Sequence, residues 1–114
     1  MGYHVVDPQE LDREPNRPSD MRYISEAADM QHMGLRVYYV EPGEDIPKSG
    51  LHADDVQEEV FYVVDGALHV ETPDRVYEVG QGQFFIAEPQ NPHRAFNDGD
   101  ADGMATVLGI GAPK

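Results

Sequence analysis

Two histidines and two carboxylates carry the chemistry on offer in this sequence. His52 and Asp54 stand two residues apart, Glu59 opens an apolar run five residues after Asp54, and His93 follows a proline much further downstream. In extended chain, side chains two apart share a face. His52 and Asp54 therefore point the same way, and Glu59 shares a face with Phe61 and Val63. If that face is interior, a carboxylate lies among apolar side chains, where an unpaired charge is costly unless it meets a cation or a metal. His52, Glu59 and His93 together supply two imidazoles and one carboxylate. That donor set suits iron, manganese, zinc or nickel, with positions left open for water or substrate. Taken singly, His52 reads as a loop histidine, Glu59 as a solvated strand residue and His93 as a turn histidine; only their combined spacing points to a site.

Short strands must position these residues. Leu35 to Val40, Glu59 to Val64, Ala67 to Thr72, Arg75 to Val79, Phe84 to Ala87, Arg94 to Asn97 and Met104 to Ile110 are rich in β-branched and aromatic residues and are separated by turn residues. Asp65-Gly66 predicts a hairpin with Ala67 to Thr72 as the return strand. Pro73-Asp74 and Gly80-Gln81-Gly82 predict further turns, and Ile46 to Gly50 is loop or edge. Upstream, Tyr3 to Val6 is expected as an edge strand or as a segment pairing with a second subunit. Gln9 to Asp20 reads as loop, and Ser25 to Gln31 as a short helical turn. Strands recurring every roughly 8–12 residues predict an all-β sandwich or barrel, and the chain lacks the long crossover helices of a parallel α/β fold. Tyr38, Tyr62, Phe84 and Phe96 are expected in its core.

The pattern resembles the cupin superfamily. The first cupin motif runs G-x5-H-x-H-x3-4-E-x6-G, and His52, Asp54, Glu59 and Gly66 fall on its H-x-H, E and final G positions. The second runs G-x5-P-x-G-x2-H-x3-N, which Gly82, Pro89, Asn91, His93 and Asn97 follow loosely, with His93-x3-Asn97 fitting as written. The resemblance spans roughly residues 34–110. It implies a double-stranded β-helix, a jelly-roll barrel with a central cavity, over 34–114, with 1–33 as an N-terminal arm of the same domain. It also implies that a divalent transition metal (Mn, Fe, Ni or Zn) is held by His52, Glu59 and His93, with Asp54 in place of the second histidine. Aspartate is shorter and harder than imidazole; Asp54 is a fourth ligand, a base, or the mark of a lost site. In the chain's own motifs, Ile46 stands where the opening glycine belongs, Asn91 holds a glycine position, and the second motif is one residue short before His93.

Composition narrows the function classes. The 114 residues suffice for one core, and the 39% hydrophobic share is low but clustered in strand-like runs. With 22 acidic and 8 basic residues the net charge is −14, which repels phosphate backbones and anionic lipid; nucleic acid and membranes are not expected partners. An acidic chain whose only lysines are Lys48 and Lys114 suits a halophile's high-salt cytoplasm. Without cysteine, disulfides and thiolate chemistry are excluded. The absence of a signal-like start or a long apolar run makes a cytoplasmic protein the expectation, and an exposed N-terminal strand would make it a homodimer. His69 is expected on the outer surface, His4 and His32 outside the site, Gln57 in solvent, and Asp98 to Gly103 as a solvated loop. Two functions fit these readings. One is a metal-dependent enzyme acting on a small organic molecule; the other is a non-catalytic small-molecule or metal-binding module.

Overall fold

The computed structural model describes residues 2–46 and 53–114. Among the described residues, nine strands form two antiparallel sheets. Asp20–Tyr23 (β1), Gly34–Val40 (β2), Glu58–Asp65 (β4), Phe84–Ala87 (β7) and Ala105–Ala112 (β9) make a five-stranded sheet in the order β1-β2-β9-β4-β7. Asp45–Ile46 (β3), Ala67–Glu71 (β5), Val76–Gly80 (β6) and Arg94–Phe96 (β8) make a four-stranded sheet in the order β3-β8-β5-β6. From β2 onward the chain changes sheet at every connection except the β5–β6 hairpin, the winding of a double-stranded β-helix. That hairpin turns where proline was expected to turn it: Thr72 and Arg75 close the loop with a 2.8 Å bond from the Thr72 amide to the Arg75 carbonyl.

The Asp65-Gly66 turn departs from the sequence reading. β4 pairs with β7 and β9, and β5 pairs with β6 and β8, so the two are not hairpin partners. Gly66 instead carries the chain from one sheet to the other. Its φ of +82° lies in the region that favours glycine, and a Cβ there would stand 3.0 Å from both the Ala105 Cα and the Met104 carbonyl oxygen. The Asp-Gly pair specifies a tight turn but not which sheet the chain enters next.

The core lies between the sheets. Met21, Tyr38, Val40, Phe61, Val63, Ala105 and Val107 face Ile46, Leu68, Val70, Val79 and Ala95. Period-two burial is clearest in β9, where Ala105, Val107, Gly109 and Gly111 turn inward. Gly109 makes room for the buried Tyr38 ring, because a Cβ there would lie 2.7 Å from the ring's Cε2.

Upstream of β2 the sequence reading needs three corrections. Residues 2–7 form no strand, because Tyr3 and Val5 are fully exposed with no neighbouring strand to pair with. The expected loop from Gln9 to Asp20 begins with a 3-10 turn, Pro8–Glu10, capped by Asp7, and ends in β1. The expected helical turn shrinks to α1, Ile24–Ala27. Phe84, expected in the core, is 63% exposed because the odd positions of β4 face inward and pair Phe61 with Phe85, which sends Phe84 outward with Tyr62. Tyr38 is buried as expected, while Tyr62 and Phe96 are half-buried.

Candidate functional site

Glu59 is the first inward residue of β4, ahead of Phe61 and Val63, and its residue exposure is 7%. β4 belongs to the five-stranded sheet. His93 precedes β8 in the four-stranded sheet and is 2% exposed. The two meet across the interior, with His93 Nε2 at 3.1 Å from Glu59 Oε1. The ring's other nitrogen, Nδ1, lies 2.9 Å from the Asn91 carbonyl oxygen. A carbonyl only accepts, so Nδ1 carries a proton and Nε2 is the nitrogen presented to Glu59. Phe61 and Phe85 flank the imidazole with ring centroids at 6.1 and 6.0 Å. The Glu59 hydrogen bond raises the His93 pKa above its ordinary value. Burial opposes this, and the Asn91 carbonyl and the Glu59 charge reinforce it.

Asp54 has a defined local task. Its Oδ1 accepts 3.0 Å bonds from the amides of Val56 and Gln57, shaping the turn that leads into β4. Its carbonyl accepts a 2.7 Å bond from the Gln90 amide, which ties this turn to the segment that carries His93. Gln90 itself has φ +68°. His52 and the Pro47 to Gly50 stretch lie outside the described residues. Among the described residues, no three His, Asp or Glu side chains form a group able to hold a metal ion. Glu59 and His93 are thus the two donors brought together, and the imidazole is oriented from behind by a carbonyl, as metal-binding histidines are.

The positions around His93 are held firmly. Arg94 reaches Asp45 of β3 with two bonds of 3.1 Å and Glu71 of β5 with one of 3.0 Å, clamping the strands on either side of β8. Asn97, the last residue of the second motif, is buried; its Nδ2 donates to the Val40 carbonyl at 2.9 Å and the Gly103 carbonyl at 3.0 Å. Arg94 was not singled out in the sequence. The available signal was a lone arginine on a strand beside candidate carboxylates, and only the sheet order shows which ones. Of the other histidines, His69 points away from the core, stacked on Phe96 with its Nε2 3.5 Å from Glu78. Gln57 is half-buried and donates to the Pro113 carbonyl.

A cleft of about 510 Å³ opens between the edge strands β6 and β7 and reaches His93. Among the described residues, Thr72, Tyr77, Phe84, Phe85, Ile86 and Pro92 line it, with the carboxylates of Asp74 and Glu88 on its wall. Tyr77 stands edge-on to Phe85 at 5.5 Å, so the apolar wall continues inward to Phe61 and His93. Aromatic walls with a few polar groups at the inner end are the usual make-up of a small-molecule site. Among the described residues no helix is long and apolar enough to cross a membrane.

Residues 36–109 match the family described as Cupin domain. No curated protein matches the chain in sequence. Among solved structures, the polyketide cyclase RemF from Streptomyces resistomycificus superposes with a TM-score of 0.79 at 20% identity, covering 98% of this chain and 80% of that one. A sugar phosphate isomerase of the cupin superfamily from Silicibacter pomeroyi gives 0.78 at 19% identity, covering 97% and 76%. KdgF from Halomonas sp. gives 0.77 at 19% identity, covering 97% and 95%. At these identities the likeness is one of fold.

Proposed function

Because this chain belongs to the Cupin domain family, we propose that it takes a small organic molecule into the cleft beside His93 and acts on it with a divalent transition metal held by His52, Glu59 and His93. The observation that carries this reading is the buried convergence of Glu59 and His93 at the inner end of an aromatic cleft. A carboxylate and an imidazole removed from water are costly as structure and useful as donors. The Nδ1–H to Asn91 bond turns Nε2 into the site, and Glu59 is aimed at the same point from the opposite sheet. A bound metal would polarise a substrate oxygen or activate a water there. The chain's own groups do the rest. Phe61 and Phe85 keep water from the pair, Glu59 holds a proton on Nε2 when no metal competes for it, and Tyr77 offers a flat wall. Among the described residues, the Asp74 and Glu88 carboxylates on the cleft wall favour neutral or cationic groups beside them.

The test is elemental analysis of the purified protein, followed by calorimetric titration with Mn, Fe, Ni and Zn ions. The expected result is one equivalent of one metal, lost in His93→Gln and in Glu59→Gln while both variants stay folded. A protein that takes up none of the four ions overturns the metal. A second reading, a non-catalytic binding module, is favoured by the engagement of Asp54 Oδ1 with two backbone amides, which leaves the fourth donor position in question. Turnover that disappears in His93→Ala while the fold survives singles out the enzyme, and Asp54→His tests the placement of Asp54. Tighter Zn or Ni binding supports Asp54 as a residue facing the metal, and unchanged binding confines it to shaping the turn.

A further inference from the structure

The inner face of the five-stranded sheet carries one cation. Tyr38 and Val40 of β2 belong to the core. Side chains two apart share a face, so Arg36 is turned inward as well. The register sets it between Tyr23 of β1 and Gly109 of β9, and its guanidinium lies 6.0 Å from the centre of the Tyr23 ring. The other strand arginines, Arg22 and Arg94, hold carboxylates. Arg36 holds none among the described residues, and its buried Nε has no hydrogen-bond partner there. The Tyr38 hydroxyl is in the same condition: the residue is fully buried, and its oxygen has no partner among the described residues. Its ring leans over Gly109, because a Cβ there would stand 3.7 Å from the Cζ that bears the hydroxyl. Buried polar groups are ordinarily bonded. Two unbonded donors on adjacent inward positions of one strand point to an acceptor that is not part of the fold.

We infer that Arg36 and Tyr38 bind a carboxylate, and that the molecule acted on beside Glu59 and His93 is a small organic acid, an assignment that rests on the small-molecule function proposed above. The sheet order β2-β9-β4-β7 places Arg36 on one side of Glu59 and the aromatic cleft on the other. Between Arg36 and Glu59 runs β9, and its residues in register with them are Gly109 and Gly111. Neither glycine has a side chain to raise between the two. Strands about 4.8 Å apart put β2 about 10 Å from β4, a span that the arginine side chain and an acid of a few carbons bridge together. The guanidinium also leans the right way. Its Nη1 lies 4.0 Å from where a Cβ of Gly34 would stand, and Gly34, Gly111 and Glu59 form one row across the sheet.

The chemistry of the two donors selects a carboxylate. A guanidinium is a planar fork that matches two carboxylate oxygens, and the phenol adds a further bond. Burial pushes the Tyr38 pKa up to about 12, with the Arg36 charge acting against this and the Glu59 charge with it. The phenol is therefore protonated at neutral pH and donates, and both charges reach its oxygen. The charges also orient the ligand. An acid is drawn to Arg36 on the β2 side and repelled by Asp74 and Glu88 on the cleft wall. Its carboxylate then lies toward β2, its neutral or cationic end lies toward the cleft, and the carbons between them pass Glu59 and His93.

Nuclear magnetic resonance on the chelator-treated, nitrogen-labelled full chain tests this through the Arg36 Nε–H signal, assigned by its loss in Arg36→Lys. The probes are acetate, lactate and succinate, each titrated against its neutral amide, with inorganic phosphate as a second control. At least one carboxylate should shift the signal saturably, its amide should leave it in place, and phosphate should bind more weakly. Arg36→Gln should weaken carboxylate binding roughly tenfold or more, as the loss of a charged hydrogen bond does. Tyr38→Phe, which keeps the ring that packs on Gly109, should weaken it about threefold to tenfold. Both variants should stay folded and take up metal as wild type does. The inference is overturned if no carboxylate binds, if an amide or phosphate binds as tightly as the acid, or if folded Arg36→Gln binds unchanged. Should Arg36→Gln fail to fold, Arg36→Lys and the amide comparison on wild type decide. Metal uptake without a preference for carboxylates sinks this inference and leaves the proposed metal site standing; a carboxylate preference without metal uptake does the reverse.

Discussion

Replacing Glu59 by Gln in the metal-free protein should produce a stability loss that is largest in acid and fades as the pH rises. The variant keeps the shape of the side chain and an oxygen for His93 Nε2, and it removes the negative charge. At 3.1 Å and an effective dielectric constant of about 20, the Coulomb attraction between carboxylate and imidazolium is about 5 kcal/mol before desolvation. Both side chains are nearly buried, at 3% and 10% exposure, so desolvation cancels much of it. Hydrogen bonds to charged groups contribute about 1.5–3 kcal/mol net. Unfolding entropy of about 2.1 cal/mol/K per residue gives roughly 0.24 kcal/mol/K for a chain of this length, so the loss corresponds to a Tm lower by about 6–12 °C. The His93 pKa is raised above 6.5 in the fold, first by its bond to Glu59. The stabilisation it reports is therefore fully present below the unfolded value of 6.5 and is lost as pH rises through the higher folded value. Calorimetric melts of chelator-treated wild type and Glu59→Gln across this range should show a gap that narrows toward alkaline pH. A gap of constant size, or one that widens with pH, would refute the assignment of an imidazolium held by Glu59.

Gly109→Ala should destabilise by about 1–3 kcal/mol through overpacking, because its Cβ would stand 2.7 Å from the ring of fully buried Tyr38. Gly111→Ala, two residues on, should cost far less, since its Cβ meets the movable end of Gln57 at 3.0 Å; urea unfolding of the two variants checks the contrast. Asn97→Ala leaves the Val40 and Gly103 carbonyls without their donor and should cost about 2–4 kcal/mol, measured in the same way, with faster amide exchange in residues 98–103. Asp20→Asn should loosen the segment that Arg22 holds at Pro8 and Leu11, seen as faster limited proteolysis there. The Asp20 pKa is lowered by its hydrogen bond to Arg22, so wild type should lose the same protection as pH falls from 3.8 through the lowered value.

The parts of the fold legible in the sequence were those where local pattern and burial agree. Period two alone put Glu59, Phe61 and Val63 on one face, while only the fold shows that this face is the inward one; the outward turn of His69 between Leu68 and Val70 was legible directly. The failures have specific causes. In β9 and β7 both faces are apolar, so Val107 and Leu108, or Phe84 and Phe85, give no sign of which side meets the core. β1 buries one residue, Met21, among polar neighbours and presents no pattern at all. The Gly66 corner reads locally as a hairpin because turn chemistry is short-range and sheet membership is not. Asp54 shows what spacing leaves out: the sequence placed it at a ligand position, and its Oδ1 also shapes the turn through the amides two and three residues on, a local task that no motif records.

The physical case for a site rests on what the Glu59–His93 pair costs. A pair buried among Phe61, Phe85 and the core contributes little to stability compared with apolar side chains of the same volume, because desolvation consumes most of the attraction. The fold nevertheless surrounds it with constraints. Asn91 fixes the ring from behind, Arg94 locks the strand that follows to both of its neighbours, and Asn97 ties the end of that strand to β2 and the 98–103 loop. The two members come from different sheets, so their separation is set by the packing of the whole core and not by any single turn. An arrangement that spends burial on charge, and rigidity on holding that charge at the inner end of an open cleft, is poorly explained by stability and well explained by a ligand that binds there.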